Sequence, residues 1–334
     1  MDQEKLYEDD WDVAYEDTPP ALVESPPTRA PATRPSQTDE SHGANEPPPA
    51  HVATLEQSAW MSEPVPHRKR PNAFPSFTAR SALFRATQAD GAFDSLTPIQ
   101  AQSAKIQVLG PKLDMRDKRV WEIAIEFAKT RVANIGDRFE VELRQFARRM
   151  GINQPNSRAL HAIWNSLARL AMVRVVFEIH GGKVKGVGSL LASATKEGNR
   201  FYVRLNPDFA LPALLCDRQF DFNADRRALI RSSLGQWLHD FYCTHSAARP
   251  IDLGYLMALC GYDGPPKNFP ARLRTAMDEL VAAAPGVVEA YVIVQPTKRA
   301  EDWILEARIG AEKRAYQQPG SLPSMTRRTG RAAL

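Results

Sequence analysis

The chain has 334 residues, 43 of them Lys or Arg and 39 Asp or Glu, so its formal charge of +4 looks bland. That balance hides a division: Met1 to Pro66 holds 14 acidic residues against 3 basic ones, a net of −11, which leaves 40 basic and 25 acidic residues, +15, for the rest. An acidic segment joined to a basic body suggests an anionic partner, and no apolar run approaches the roughly 20 residues that would cross a bilayer.

MDQEKLYEDD lacks the basic start and apolar middle of a secretory signal, so a cytosolic protein is expected, with no membrane partner. Cys216, Cys243 and Cys260 are odd in number and form no CxxC pair, which argues against a disulfide framework or a zinc site. They read as small core residues. No GxxxxGK[ST] stretch occurs, so no nucleotide cofactor is expected.

Residues 1–75 carry 11 prolines before position 67 and few aliphatic residues, a composition that cannot offset the entropy of ordering, and the segment reads as a disordered tail. It ends on the basic run HRKRP, and LEQSAWMSE within it has the look of a short docking peptide. Order is expected from Thr78. A strand is predicted at Lys105 to Leu109, then an amphipathic helix over Met115 to Arg131 opened by Asp114. RFEVEL follows as a strand and LRQFARRM as a short helix closed by Gly151.

In NQPNSRALHAIWNSLARL, Leu160, Ile163, Trp164, Leu167 and Leu170 form one apolar stripe at three- and four-residue steps. Arg158, His161, Asn165 and Arg169 project from the polar side, able to donate hydrogen bonds and neutralise phosphates. VRVVFEIH reads as a strand, HGGKVKG as a Gly-rich turn carrying Lys183 and Lys185, and FYVRL as the returning partner strand. Helix, strand, helix, turn, helix and hairpin is the order of a winged helix-turn-helix.

The order recurs. At an offset of 110, Val141 falls on Ile251, Glu142 on Asp252, Leu143 on Leu253, Phe146 on Leu256 and Gly151 on Gly261. Upstream, Phe127 falls on Trp237 and Ala124 on Leu234 within DRRALIRSSLGQWLHDFY, read as a helix. After three extra residues Leu160, Trp164 and Leu167 stand opposite Leu273, Met277 and Leu280. GVVEAYVIV and WILEARI supply a second hairpin. The second counterpart of the polar-faced helix, Lys267 to Leu280, exposes Lys267, Arg272, Arg274 and Thr275 near its N-terminal end, where a recognition helix meets the major groove. The expected fold class is therefore α+β: a tail over 1–75, winged helices over 78–206 and 207–310, and a disordered basic tail over 311–334.

TARSALF (Thr78 to Phe84), VWEIAIEFAKT, GINQPNSRALHAIWNSLARLAM and WLHDFYCTHSAARPIDLGYLMALCG through RLRTAMDEL resemble the TrfA-like family of plasmid replication initiators across roughly residues 78 to 295. The resemblance implies a non-enzymatic protein that binds directly repeated origin sites on double-stranded DNA, helps to melt an adjacent AT-rich segment and recruits host replication proteins. Its implied partners are a host initiator protein, a replicative helicase and a sliding clamp, with a homodimer in equilibrium with the monomer. Where such proteins carry a clamp-docking peptide of the type Gln-Leu-x-Leu-Phe, this chain has QSAWM. A transcriptional repressor with the same two domains is the alternative. HDFYCTH offers Tyr242 and two histidines to a nicking enzyme, but His239 and His245 stand on different helix faces, against that reading.

Overall fold

Asp114 opens the longest helix in the way its sequence suggests. The computed structural model describes residues 73–310 apart from 89, 133, 211–218, 222–223, 246 and 297. The acidic tail up to residue 72 with LEQSAWMSE, QSAWM and HRKRP, the basic tail over 311–334 and Cys216 lie outside the described residues. Order starts before Thr78: Ala73–Pro75 forms strand β1, antiparallel to β11 (Gln219–Asp221), and continues into α1 (Ser76–Ala79). Phe74 and Phe77 are buried, so the end of the expected tail is part of the core.

Helix α2 (Met115–Arg131) begins with a capping box, in which the Asp114 carboxylate accepts from the Asp117 amide at 3.1 Å and Asp117 accepts from the Asp114 amide at 3.1 Å. Trp121, Ala124, Ile125 and Ala128 bury its inner stripe. The chain then forms β6 (Arg138–Glu142), α3 (Leu143–Arg149), a turn through Gly151 at φ +83°, and α4 (Ser157–Met172), capped by Asn156. Ile163, Leu167 and Leu170 of α4 are buried, and Trp164 stacks on Phe201 with ring centroids 5.9 Å apart. The hairpin of β9 (Leu191–Glu197) and β10 (Arg200–Leu205) completes this winged helix, its sheet ordered β6-β10-β9.

One expected pairing is wrong. FYVRL lies in β10 and pairs with β6 and β9, whereas VRVVFEIH forms β7 (Arg174–Ile179) and pairs with β4 (Ala104–Pro111) and β8 (Val184–Gly188). With β3 (Ala92–Ile99) these make a separate sheet ordered β3-β4-β7-β8. The turn that carries Lys183 and Lys185 therefore belongs to this accessory sheet, and the wing is the β9–β10 hairpin. Alternation of apolar residues fits β7 to either partner, and only the tertiary fold selects between them.

In the second half DRRALIRSSLGQWLHDFY is broken in two, α5 (Ala224–Leu229) and α6 (Ser233–Cys243). Ser232 causes the break: its Oγ accepts from the Gly235 amide at 3.1 Å, and Glu279 accepts from its amide at 2.9 Å and its hydroxyl at 2.6 Å. Then come β12 (Ile251–Asp252), α7 (Leu253–Leu259), α8 (Phe269–Ala283), β13 (Val288–Val294) and β14 (Ile304–Ile309), in a sheet ordered β12-β14-β13. Each three-stranded sheet thus sets its last strand between the other two. The aligned pairs match in place as well as type: Leu143 and Leu253 start equivalent helices, Phe146 and Leu256 are fully buried, and Gly151 and Gly261 both have positive φ. The fold is α+β, two winged helices in tandem.

Candidate nucleic-acid interface

A winged helix meets duplex DNA through its third helix, so the exposed residues of α8 and α4 come first. On α8, Phe269, Leu273, Ala276, Met277 and Leu280 are buried, which leaves the opposite side to solvent. Lys267 lies in the single helical turn Pro266–Asn268 just ahead of α8, and with Arg272, Arg274 and Thr275 it is exposed. These four residues thus lie at the start of α8 and in the turn that leads into it. Arg272 and Arg274 each hold the guanidinium carbon 5.8 Å from an aromatic ring, of Tyr262 and Trp303 respectively, which restricts the arginine stems while their donors face water. The next carboxylate along the helix, Asp278, accepts a hydrogen bond from the Tyr291 hydroxyl at 2.7 Å. Burial and this bond push Tyr291 up to about 12, so it remains a donor and the carboxylate stays occupied. Thr275 donates to the Ala271 carbonyl at 3.3 Å.

On α4, Arg158 is exposed and has no ion-pair or hydrogen-bond partner among the described residues. His161 and Asn165 are exposed one turn apart, with His161 Nδ1 3.3 Å from Asn165 Nδ2. Arg169 is placed differently: its guanidinium donates to both Asp117 oxygens, at 3.1 and 2.6 Å, and to Ser166 Oγ at 3.3 Å. Burial raises Asp117 above the usual carboxylate range, and the Arg169 bonds offset part of that rise. Arg169 thus ties α4 to the start of α2.

Lys183 is exposed at the β7–β8 turn, and Lys185 ion-pairs at 3.4 Å with Glu178, which Lys105 approaches from the other side at 3.4 Å. Desolvation works to raise Glu178, but the bonds and charges of Lys105 and Lys185 together outweigh it and hold the carboxyl below its usual value. The wing itself, unassigned from sequence, exposes Lys196, Arg200 and Arg204, with Arg200 paired to Glu140 at 3.0 Å.

HDFYCTH is core. Tyr242 is 2% exposed, and burial raises its hydroxyl well above the usual tyrosine value, leaving it beyond the reach of a phosphate. His239 is fully buried with Nδ1 3.1 Å from Asp240 Oδ1. Among the described residues no His, Cys, Asp and Glu group of metal-binding size occurs, and no helix is long and apolar enough to cross a membrane.

The junction between the two winged helices was not legible in the sequence. Lys118 of α2 reaches Asp240 of α6 at 2.7 Å, Arg227 of α5 reaches the same oxygen at 2.6 Å, and Arg227 also bridges to both oxygens of Glu122 on α2. All four are buried. Burial alone would raise Asp240, but the charges of Arg227 and Lys118 outweigh it and hold its carboxyl far below the usual range. A signal existed: Lys118 and Glu122 stand between Met115 and Ile125 on the core-facing stripe of α2, where a charge needs a partner.

TARSALF proves to be a strap across this junction. Arg80 donates to Thr244 Oγ1 at 2.6 Å, Ser81 offers its carbonyl to Trp237 Nε1 at 3.4 Å, and Phe84 packs on Trp121 with centroids 5.8 Å apart. Just beyond it, Ala86 donates to the Cys260 carbonyl at 2.8 Å.

Fold and surface together define a tandem winged-helix protein whose second module presents basic residues at the start of α8. Neither a family model nor a curated protein matches the chain. Among the solved structures that overlap it are two of one protein. One, described as selenomethionine derivatives of domain 2 and domain 3 of RctB, has a TM-score of 0.47 at 12% identity and covers 70% of this chain and 96% of its own. The other, RctB domains 2–3, has a TM-score of 0.39 at 11% identity over 71% and 98%. Overlaps this distant add nothing to what the elements themselves show.

Proposed function

We propose that this chain is a plasmid replication initiator: it binds directly repeated origin sites on double-stranded DNA, promotes melting of a neighbouring AT-rich segment and recruits host replication proteins. The observation that carries the DNA-binding part is the start of α8: Lys267 in the turn before it and Arg272, Arg274 and Thr275 in its N-terminal half are exposed, while the next carboxylate along the helix, Asp278, accepts from Tyr291. Arginine on an exposed recognition helix pairs with guanine O6 and N7 in the major groove, and lysine and threonine suit phosphates at the rim. The replication part is supported by the resemblance carried by TARSALF and the segments after it.

The chain acts by binding, without chemistry of its own. Tyr242 is enclosed in the core, so the one candidate nucleophile suggested for nicking cannot meet a strand. Melting then draws on binding energy: bending a duplex site costs about 1 to 6 kcal/mol, which the protein contacts must repay, and the strain falls most readily on flexible, easily unstacked steps. Host initiator, helicase and clamp are the partners such a protein would gather.

Footprinting of the full chain on the DNA around its own gene, at near-physiological salt with unrelated DNA in excess, tests this. Regularly spaced protection over direct repeats is expected. Protection of one promoter palindrome would replace the initiator with a repressor, and no protection would remove DNA recognition altogether.

A further inference from the structure

The two modules differ at the helix that precedes the recognition helix. In a helix-turn-helix this first helix crosses the DNA backbone, so its exposed side chains meet phosphates rather than bases. In the first module it is α3, where Leu143, Phe146 and Ala147 are buried and Arg144, Gln145, Arg148 and Arg149 are exposed. Its counterpart α7, at the offset of 110, has Gly254 in place of Arg144 and Ala258 in place of Arg148. One module carries two cations where the other carries none.

The arginines around them are committed. Arg149 pairs with Glu126, Arg119 donates to the Arg149 carbonyl at 2.9 Å, and Arg131 donates to Gln145 at 2.6 Å. Arg144 and Arg148 have no ion-pair or hydrogen-bond partner among the described residues. They stand four residues apart on one helix face, a spacing at which like charges repel. Arg148 in the last turn complements the helix dipole, but Arg144 stands in the first turn, where a cation is disfavoured; that turn holds no acidic residue, and the N-cap Glu142 makes no side-chain cap bond. Folding gives no reason for the pair.

We propose that Arg144 and Arg148 of α3 form a phosphate clasp on double-stranded DNA. The assignment rests on the DNA-binding reading above and adds two backbone-contacting residues to it.

The test is the salt dependence of binding by the full chain to a random-sequence duplex and to the footprinted site. Each phosphate contact contributes about 0.9 to the slope of log affinity against log salt. Arg144→Ala/Arg148→Ala should flatten that slope by about 1.8 on both duplexes and leave the ratio of specific to non-specific affinity unchanged. Arg144→Lys/Arg148→Lys should restore most of it, and melting of the double Ala variant without DNA should be unchanged or raised. A parent-like slope in the double Ala variant, with the parent chain binding normally, would overturn the clasp alone. A collapse of the specificity ratio would make the pair base readers instead, and a parent chain that binds no duplex would overturn the clasp together with the function it rests on.

Discussion

Lys118 and Asp240 are 122 residues apart in sequence, yet their side chains meet at 2.7 Å with neither more than 1% exposed. The pair joins α2 of one winged helix to α6 of the other. A buried ion pair contributes little net stability when made, but removing one partner strands the other charge in a medium of low dielectric. Asp240→Ala takes away the carboxylate that Lys118 meets at 2.7 Å and, with it, one of the three bonds described for Arg227. We expect a loss of about 3 to 5 kcal/mol in urea unfolding. A loss below about 1 kcal/mol would mean that water reaches the junction.

His239 reports on the same junction through pH. Burial works against its charge, but the hydrogen bond to Asp240 prevails and raises it from 6.5 to about 9. A raised folded-state value means that the charged form stabilises the fold: the contribution is complete below about pH 6.5 and is lost as pH rises through 9. The loss should amount to about 2 to 3 kcal/mol between pH 6 and 9.5. His239→Gln should flatten that part of the stability profile. An equally steep decline in the variant would assign the pH dependence to other groups.

How much of this was legible follows the range of the signal. Helix α2 was readable to the residue because Asp114, its cap, and the apolar period are local. The tandem plan was readable because each module repeats the same local order. The accessory sheet was not, since β4 and β7 are joined by a register that spans about seventy residues and β7 alone fits two partners equally well. Within the site, Arg158, Asn165 and Arg169 share one azimuth of α4, and nothing along the helix separates them. The difference is Asp117, brought over the C-terminal end of α4 by the start of α2, and only the tertiary fold supplies it.

That distinction can be measured. Arg169→Ala removes two bonds from the buried Asp117 and should cost about 1 to 3 kcal/mol in stability, since Asp117 keeps its place in the capping box. The folded variant should bind DNA with the parent's base preference. A relaxed preference with unchanged stability would move Arg169 from a brace to a reader.

The strongest consequence concerns α8. Arg272→Ala or Arg274→Ala should each cost roughly 1 to 3 kcal/mol on the specific site and relax base preference at the position it contacts. Each arginine also rests 5.8 Å from an aromatic ring, so alanine removes packing as well as charge. Lysine separates the two effects: it keeps a cation and a stem but lacks the two-pronged geometry that guanine rewards. Arg272→Lys and Arg274→Lys should therefore hold affinity for random DNA while losing discrimination on the specific site. Full discrimination in both lysine variants would show that α8 supplies only charge, and the reading surface would then have to be sought on α4 at Arg158, His161 and Asn165.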